Sequence, residues 1–191
     1  MKIGFFGGSF NPISNIHMKL AKMLTEKNIV DKVFFVPVGD YYKKTSLIKA
    51  EHRINMIKLA ISNEEKIEIE DISAKSEIEL CALDTFKLIE EKYRDDDLFF
   101  IMGSDNYRKI STWKNYEEII NKYNLIIIER ERKKIRKTDK NNIIEIIPEN
   151  FQTIDSTIMR NMVKENKDIS KYINKDVYNY IKVNGLYENE E

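Results

Sequence analysis

Cysteine, histidine, proline and tryptophan are scarce in this 191-residue chain, at one, two, three and one respectively. The single Cys81 excludes an intramolecular disulfide and a cysteine-based zinc site. With only His17 and His52 present, a histidine-rich metal centre is excluded and histidine chemistry has two candidates. An excess of either charge is also lacking. Lys plus Arg and Asp plus Glu each total 32, which argues against a surface built to bind nucleic acid or an anionic membrane. Apolar runs such as 125–128 are far too short to span a bilayer. The first residues show no basic segment followed by an apolar run and a small-residue cleavage site, so the expected location is cytoplasmic.

What is present suits a folded protein. Hydrophobic residues make up 42% and aromatics 10%, enough for a real core. The chain carries 30 Ile, 25 Lys and 18 Asn, a bias that follows AT-rich codons, so a lysine cluster is not by itself a binding site.

Apolar runs of strand length alternate with segments of helical period. Strands are expected over 2–6, 32–38, 66–69, 98–102, 123–128 and 143–147. Helices are expected over 16–27, where Ile16, Leu20, Met23 and Leu24 share a face, and over 51–62 and 81–93. In the second of these, Ile54, Met56, Ile57 and Ala60 are expected inward. The pattern predicts an α/β, Rossmann-like, doubly wound and mostly parallel sheet. Beyond Pro148, helices are expected over 155–163 and 176–183, the latter stopped by Asn184-Gly185. One domain is expected over 1–191, with a Rossmann-like core over 1–148 and a short helical C-terminal tail over 149–191. Ligands of such sheets sit beyond the carboxyl ends of the strands, near the topological switch point. That directs attention to 7–17, 37–44, 70–85, 103–113 and 129–137.

Three of the six glycines fall in the first eight residues. Gly7-Gly8-Ser9-Phe10-Asn11-Pro12 follows the first strand, and His17 comes five residues after the proline. Glycines there let the backbone approach a phosphate, and a helix start attracts anions. Neither the dinucleotide fingerprint nor a P-loop is present. Far along the chain stands Ile154-Asp155-Ser156-Thr157-Ile158-Met159-Arg160, which predicts a helix start with hydroxyls at its cap and a guanidinium one turn inward. Each feature has a plain structural alternative: a strand-to-helix turn, a histidine packed on the sheet, a simple helix cap.

Together the two segments resemble the signatures of the nucleotidylyltransferase superfamily. These are Gly-x-Phe-Asp/Asn-Pro followed by His/Thr-x-Gly-His, and Ile-Ser-Ser-Thr-x-x-Arg. Ser14 stands where the family has His or Thr, Ile16 where it has Gly, and Asp155 where it has the first Ser. Further segments resemble the nicotinate-mononucleotide adenylyltransferase branch. Asp40-Tyr41-Tyr42-Lys43 occupies the place of Pro-Pro-His-Lys, ahead of Arg53. Asp84-Thr85, Gly103-Ser104-Asp105, Trp113 and the closing Tyr-Ile-x-x-Asn-Gly-Leu-Tyr of residues 180–187 complete the likeness, which runs over essentially the whole chain.

The resemblance implies adenylyl transfer from ATP to nicotinate mononucleotide, giving deamido-NAD and pyrophosphate. It implies that His17 and Arg160 are catalytic. The glycine-rich turn would meet ATP through Gly8, Ser9, Phe10, Ser14 and His17. Lys43, Gly103, Asp105, Ser156, Thr157 and Arg160 would complete the ATP contacts. Asn11, Thr85, Trp113 and Arg130 would meet the pyridine nucleotide, Trp113 by stacking. No metal ligand is expected from the protein, and Mg²⁺ would arrive with ATP. No nucleic acid or membrane partner is expected, and a homo-oligomer stays open. Two alternatives also stay open. One is a related enzyme with another acceptor, such as nicotinamide mononucleotide. The other is a nucleotide-binding protein impaired in catalysis, given Ser14 and Ile16.

Overall fold

Continuous apolar runs make strands that can be buried on both faces, and such strands belong at the centre of a parallel sheet. A computed structural model describes residues 1–43, 46–129, 142–146, 148 and 155–188 of the protein. Its six strands are β1 (Lys2–Gly8), β2 (Lys32–Pro37), β3 (Ile67–Ile69), β4 (Asp97–Gly103), β5 (Asn124–Ile128) and β6 (Ile143–Ile146). They lie in the order β3-β2-β1-β4-β5-β6, and every pairing is parallel. The helices are α1 (Asn15–Glu26), α2 (Ala50–Ala60), α3 (Ala82–Lys92), α4 (Ser104–Arg108), α5 (Tyr116–Lys122), α6 (Ser156–Lys164) and α7 (Lys175–Val183).

Side chains alternate across the sheet and feed two cores. Phe6, Phe35, Ile101, Ile126 and Ile128 face the layer that includes α1, α2, α6 and α7. Phe5, Phe34, Phe100, Leu125 and Ile127 face the layer of α3 and α5. The chain runs outward from β1 to β3, then returns to set β4 beside β1. The direction of winding therefore reverses between β1 and β4, which is where such a sheet opens a crevice at its carboxyl edge. Register places Phe6 beside Ile101, so the two strands end side by side at Gly8 and Gly103.

The α/β, doubly wound expectation holds, and three local expectations change. The stretch between β4 and β5 is not a bare loop: it folds as α4, a 3₁₀ turn Ile110–Thr112 and α5. These pieces are too short and polar to show a helical period, and few of their side chains, Tyr107, Ile110 and Ile119 among them, reach the core. On α2 the inward face is Arg53, Met56, Ile57 and Ala60, while Ile54 is only half-buried. The tail helices are wired into the main core, because Met159, Val177, Ile181, Leu186 and Tyr187 pack in one cluster with Leu20, Phe35 and Ile57. Ile147 lies outside the described residues.

Two glycines separate close approach from open space. A Cβ on Gly39 would stand 2.7 Å from the Ser73 carbonyl oxygen, whereas one on Gly7 would meet nothing within 4 Å. Gly39→Ala should therefore lose about 1–3 kcal/mol in denaturant unfolding, the scale of a forced backbone shift. Gly7→Ala should stay within about 0.5 kcal/mol of the parent.

Candidate active site

The turn after β1 is held by residues remote in sequence. Phe10 sits at φ 45°, a left-handed conformation that is costly for a bulky side chain. The carbonyls on either side are fixed by buried cations. Arg53 Nη1 donates to Ser9 O at 3.2 Å, and Arg160 Nη1 donates to Asn11 O at 2.8 Å. Ser156 Oγ donates to Pro12 O at 3.2 Å, so the start of α6 is tied directly to the turn. Asn11-Pro12 is a cis peptide.

Arg53 is fully buried and also donates to Ile48 O at 2.9 Å and to Asp40 Oδ1 at 3.2 Å. Burial pushes its guanidinium below the ordinary arginine value, and the hydrogen bond and charge of Asp40 act against that shift. Asp40 Oδ1 accepts from the Ala50 N–H as well, which satisfies a donor at the start of α2. One carboxylate thus joins α2 to the loop that carries Lys43, and Lys43 itself is exposed.

The structure shows what several of the expected site residues touch. Asn11 is buried, with Nδ2 donating to Ser46 O at 2.7 Å and Oδ1 accepting from Tyr187 Oη–H at 2.9 Å. Each end of its amide makes one bond, and those two bonds shape the turn. Phe10 is buried with edge contacts to Phe6, His17 and Phe35, so its ring belongs to the core and not to a ligand. Gly8 closes on that ring, where a Cβ would stand 3.0 Å from it. Ser9 is half-buried, its carbonyl turned to Arg53. Ser14 is buried against His17. Asp155 caps α6 by accepting from the Thr157 N–H at 2.7 Å.

His17 stands three residues beyond Ser14, the N-cap of α1. The Ser14 backbone N–H donates to His17 Nδ1 at 3.1 Å, and Ser14 Oγ lies 2.8 Å from the same nitrogen. A peptide N–H can only donate, so Nδ1 accepts and the neutral ring carries its proton on Nε2. Ile16 is the second residue of α1, where helical backbone angles need no glycine, and its half-buried side chain packs on the core.

On the α6 side, Arg160 is buried and its Nη2 donates to Thr157 Oγ1 at 3.3 Å. Ser156 is half-buried and Thr157 exposed. The structure therefore brings Ser156, Thr157 and Arg160 to the glycine-rich turn. Across the switch point, Gly103 is the buried N-cap of α4 and Asp105 lies exposed in its first turn. Thr85 is buried near the start of α3, and Trp113 is half-buried against the α3/α5 core. Arg130 lies outside the described residues. Among the described residues, no three His, Cys, Asp or Glu side chains are grouped to hold a metal ion, and no helix is long and apolar enough to cross a membrane.

Two residues make site contacts that the sequence did not reveal. Glu129, directly after β5, has a fully buried side chain that accepts from Ser104 Oγ at 2.9 Å and Arg108 Nη2 at 2.8 Å. It pins α4, the helix that presents Asp105. A carboxylate abutting an unbroken apolar strand was the available signal. Tyr187 closes the chain onto Asn11, and burial holds its phenol far above the ordinary tyrosine range, against the opposing pull of Arg160 and Arg53. It therefore stays protonated and remains the donor.

This geometry has known counterparts. Residues 5–173 match the cytidylyltransferase-like family, and the chain belongs to that family. It is 34% identical over 183 residues to the "Probable nicotinate-nucleotide adenylyltransferase" of Fusobacterium nucleatum, covering 93% of this chain and 95% of that protein. It is 30% identical to the protein of the same name in Bacillus licheniformis, covering 98% of each. The solved Plasmodium falciparum nicotinic acid mononucleotide adenylyltransferase complexed with NaAD superposes with a TM-score of 0.81 at 27% identity, covering 98% of this chain and 97% of that one.

Tyr187→Phe removes the donor to a buried amide oxygen and should cost about 1–3 kcal/mol in chemical denaturation. Glu129→Ala removes a buried acceptor of Ser104 and of the half-exposed Arg108 and should cost about 1–3 kcal/mol, the scale of lost hydrogen bonds to a charged group.

Proposed function

We propose that the protein transfers the adenylyl group of ATP to nicotinate mononucleotide, giving deamido-NAD and pyrophosphate. One observation carries this reading. The turn after β1 and the start of α6 are joined by Ser156 Oγ–Pro12 O and Arg160 Nη1–Asn11 O, beside a histidine whose Nε2 bears the proton. The names of the relatives, and the neighbour complexed with NaAD, support the same chemistry.

The acceptor's 5′-phosphate oxygen attacks the α-phosphorus in line. A new P–O bond forms, the bond to the β-phosphate bridging oxygen breaks, and pyrophosphate leaves. A phosphate nucleophile is ionised at neutral pH, so no general base is required, and catalysis is positioning with charge neutralisation. His17 Nε2–H donates to an α-phosphate oxygen as charge develops there. The N-terminus of α6, Ser156, Thr157 and the charge of Arg160 hold the departing phosphates, with Lys43 reaching in from the β2 loop. Mg²⁺ enters as part of the ATP substrate. Asp105 accepts from a ribose hydroxyl. Trp113 stacks on the pyridine ring and Thr85, near the start of α3, meets its carboxylate. Arg130 is a further candidate for the acceptor phosphate.

The test is pyrophosphate release from ATP with nicotinate mononucleotide, run beside nicotinamide mononucleotide. Turnover with the acid is expected; turnover with the amide alone would reassign the acceptor. ATP binding with release in neither case would establish the binding-only alternative. His17→Ala should lower kcat by about 10²–10³-fold with an unchanged circular dichroism spectrum. Trp113→Ala should raise the KM for the pyridine nucleotide; a change confined to the KM for ATP would place Trp113 elsewhere.

A further inference from the structure

We propose that Ser14 is a positioning residue that acts through His17, its peptide N–H setting the Nε2–H form and its hydroxyl adding a second bond that fixes the ring, and that it is not a triphosphate ligand. The inference rests on the adenylyl-transfer reading for its catalytic consequence, but not for its structural content.

Ser14 is 3% exposed, which leaves little of it for a nucleotide to touch. Its hydroxyl oxygen lies 2.8 Å from His17 Nδ1, closer than its own backbone nitrogen at 3.1 Å. The peptide N–H already makes Nδ1 an acceptor. A rotatable hydroxyl beside an acceptor nitrogen turns its proton toward it. Two donors then converge on one lone pair, and both belong to the same residue. The ring plane is set by edge contacts with Phe6 and Phe10, at centroid distances of 6.1 and 5.3 Å. The opposite ring nitrogen is thereby kept as a donor, the form needed against a phosphate oxygen gaining charge. The other tautomer would present a lone pair to that oxygen, and two acceptors repel. Threonine could replace Ser14 here, because the N-cap backbone is extended, with φ −129° and ψ 166°, and admits a β-branched residue. Alanine would keep the peptide donor and remove only the hydroxyl.

The experiment uses the full chain labelled with ¹⁵N in its histidine rings. Long-range ¹H–¹⁵N spectra report each tautomer without turnover, and His17→Ala assigns the two histidines. In the parent, His17 should show an unprotonated Nδ1. Ser14→Ala should keep that tautomer, move the Nδ1 resonance toward that of an unbonded pyridine-type nitrogen, and lower kcat about threefold to tenfold, the scale of one lost hydrogen bond, with the KM for ATP unchanged. Ser14→Thr should restore both. An Nδ1 resonance unaltered in Ser14→Ala overturns the proposal, whether the variant loses thermal stability as a missing cap would or raises the KM for ATP as a missing phosphate ligand would. A Ser14-dependent Nδ1 resonance in a parent that releases no pyrophosphate upholds the proposal and overturns the reading of function instead.

Discussion

The turn between β1 and α1 presents its carbonyls inward, and everything at the site depends on who donates to them. Ser9, Asn11 and Pro12 each offer a carbonyl oxygen that a buried turn cannot leave to water. Arg53 takes the first, Arg160 the second and Ser156 the third. The donors come from α2 and α6, so the turn acts as the junction of three segments far apart in the chain. Phe10 can hold its left-handed backbone because both neighbouring carbonyls are fixed.

Burying two guanidinium groups is costly unless their hydrogen bonds are met. Arg53 spends donors on Ile48 O and Ser9 O and is balanced by Asp40. Arg160 bonds to Asn11 O and Thr157 Oγ1, and its charge stays at the carboxyl edge of the sheet. The arrangement gives fixed dipoles and positive charge at the switch point before any nucleotide arrives. Such a site need not reorganise when phosphate charge develops. Tyr187 extends the same logic to the end of the chain, closing the Asn11 amide from the far side.

Most of the sheet was legible from the sequence. The strand order could be anticipated in kind because apolar runs alternating with amphipathic helices leave few alternatives. His17, Ser156 and Arg160 were legible as a set because their spacing is local to two motifs. The α4–α5 stretch was not, since helices of five and seven residues owe their form to the core beneath them. That the Asn11 amide and the Phe10 ring build the turn was not legible for a related reason. A residue in a binding motif can either touch the ligand or build the loop that does, and local sequence does not distinguish the two.

The sequence by itself determined the class of sheet, the position of the crevice and the kinds of side chain available there. Those follow from periodicity and turn chemistry, which act over a few residues. Tertiary structure decided which side chains are spent internally. It turned Arg53 inward, engaged both ends of Asn11 and set Glu129 beneath α4. These are hydrogen bonds between partners brought together by folding, Asn11 and Tyr187 across 176 residues of chain. Whether a polar group is free for a substrate depends on that pairing, which exists only once the chain has closed on itself.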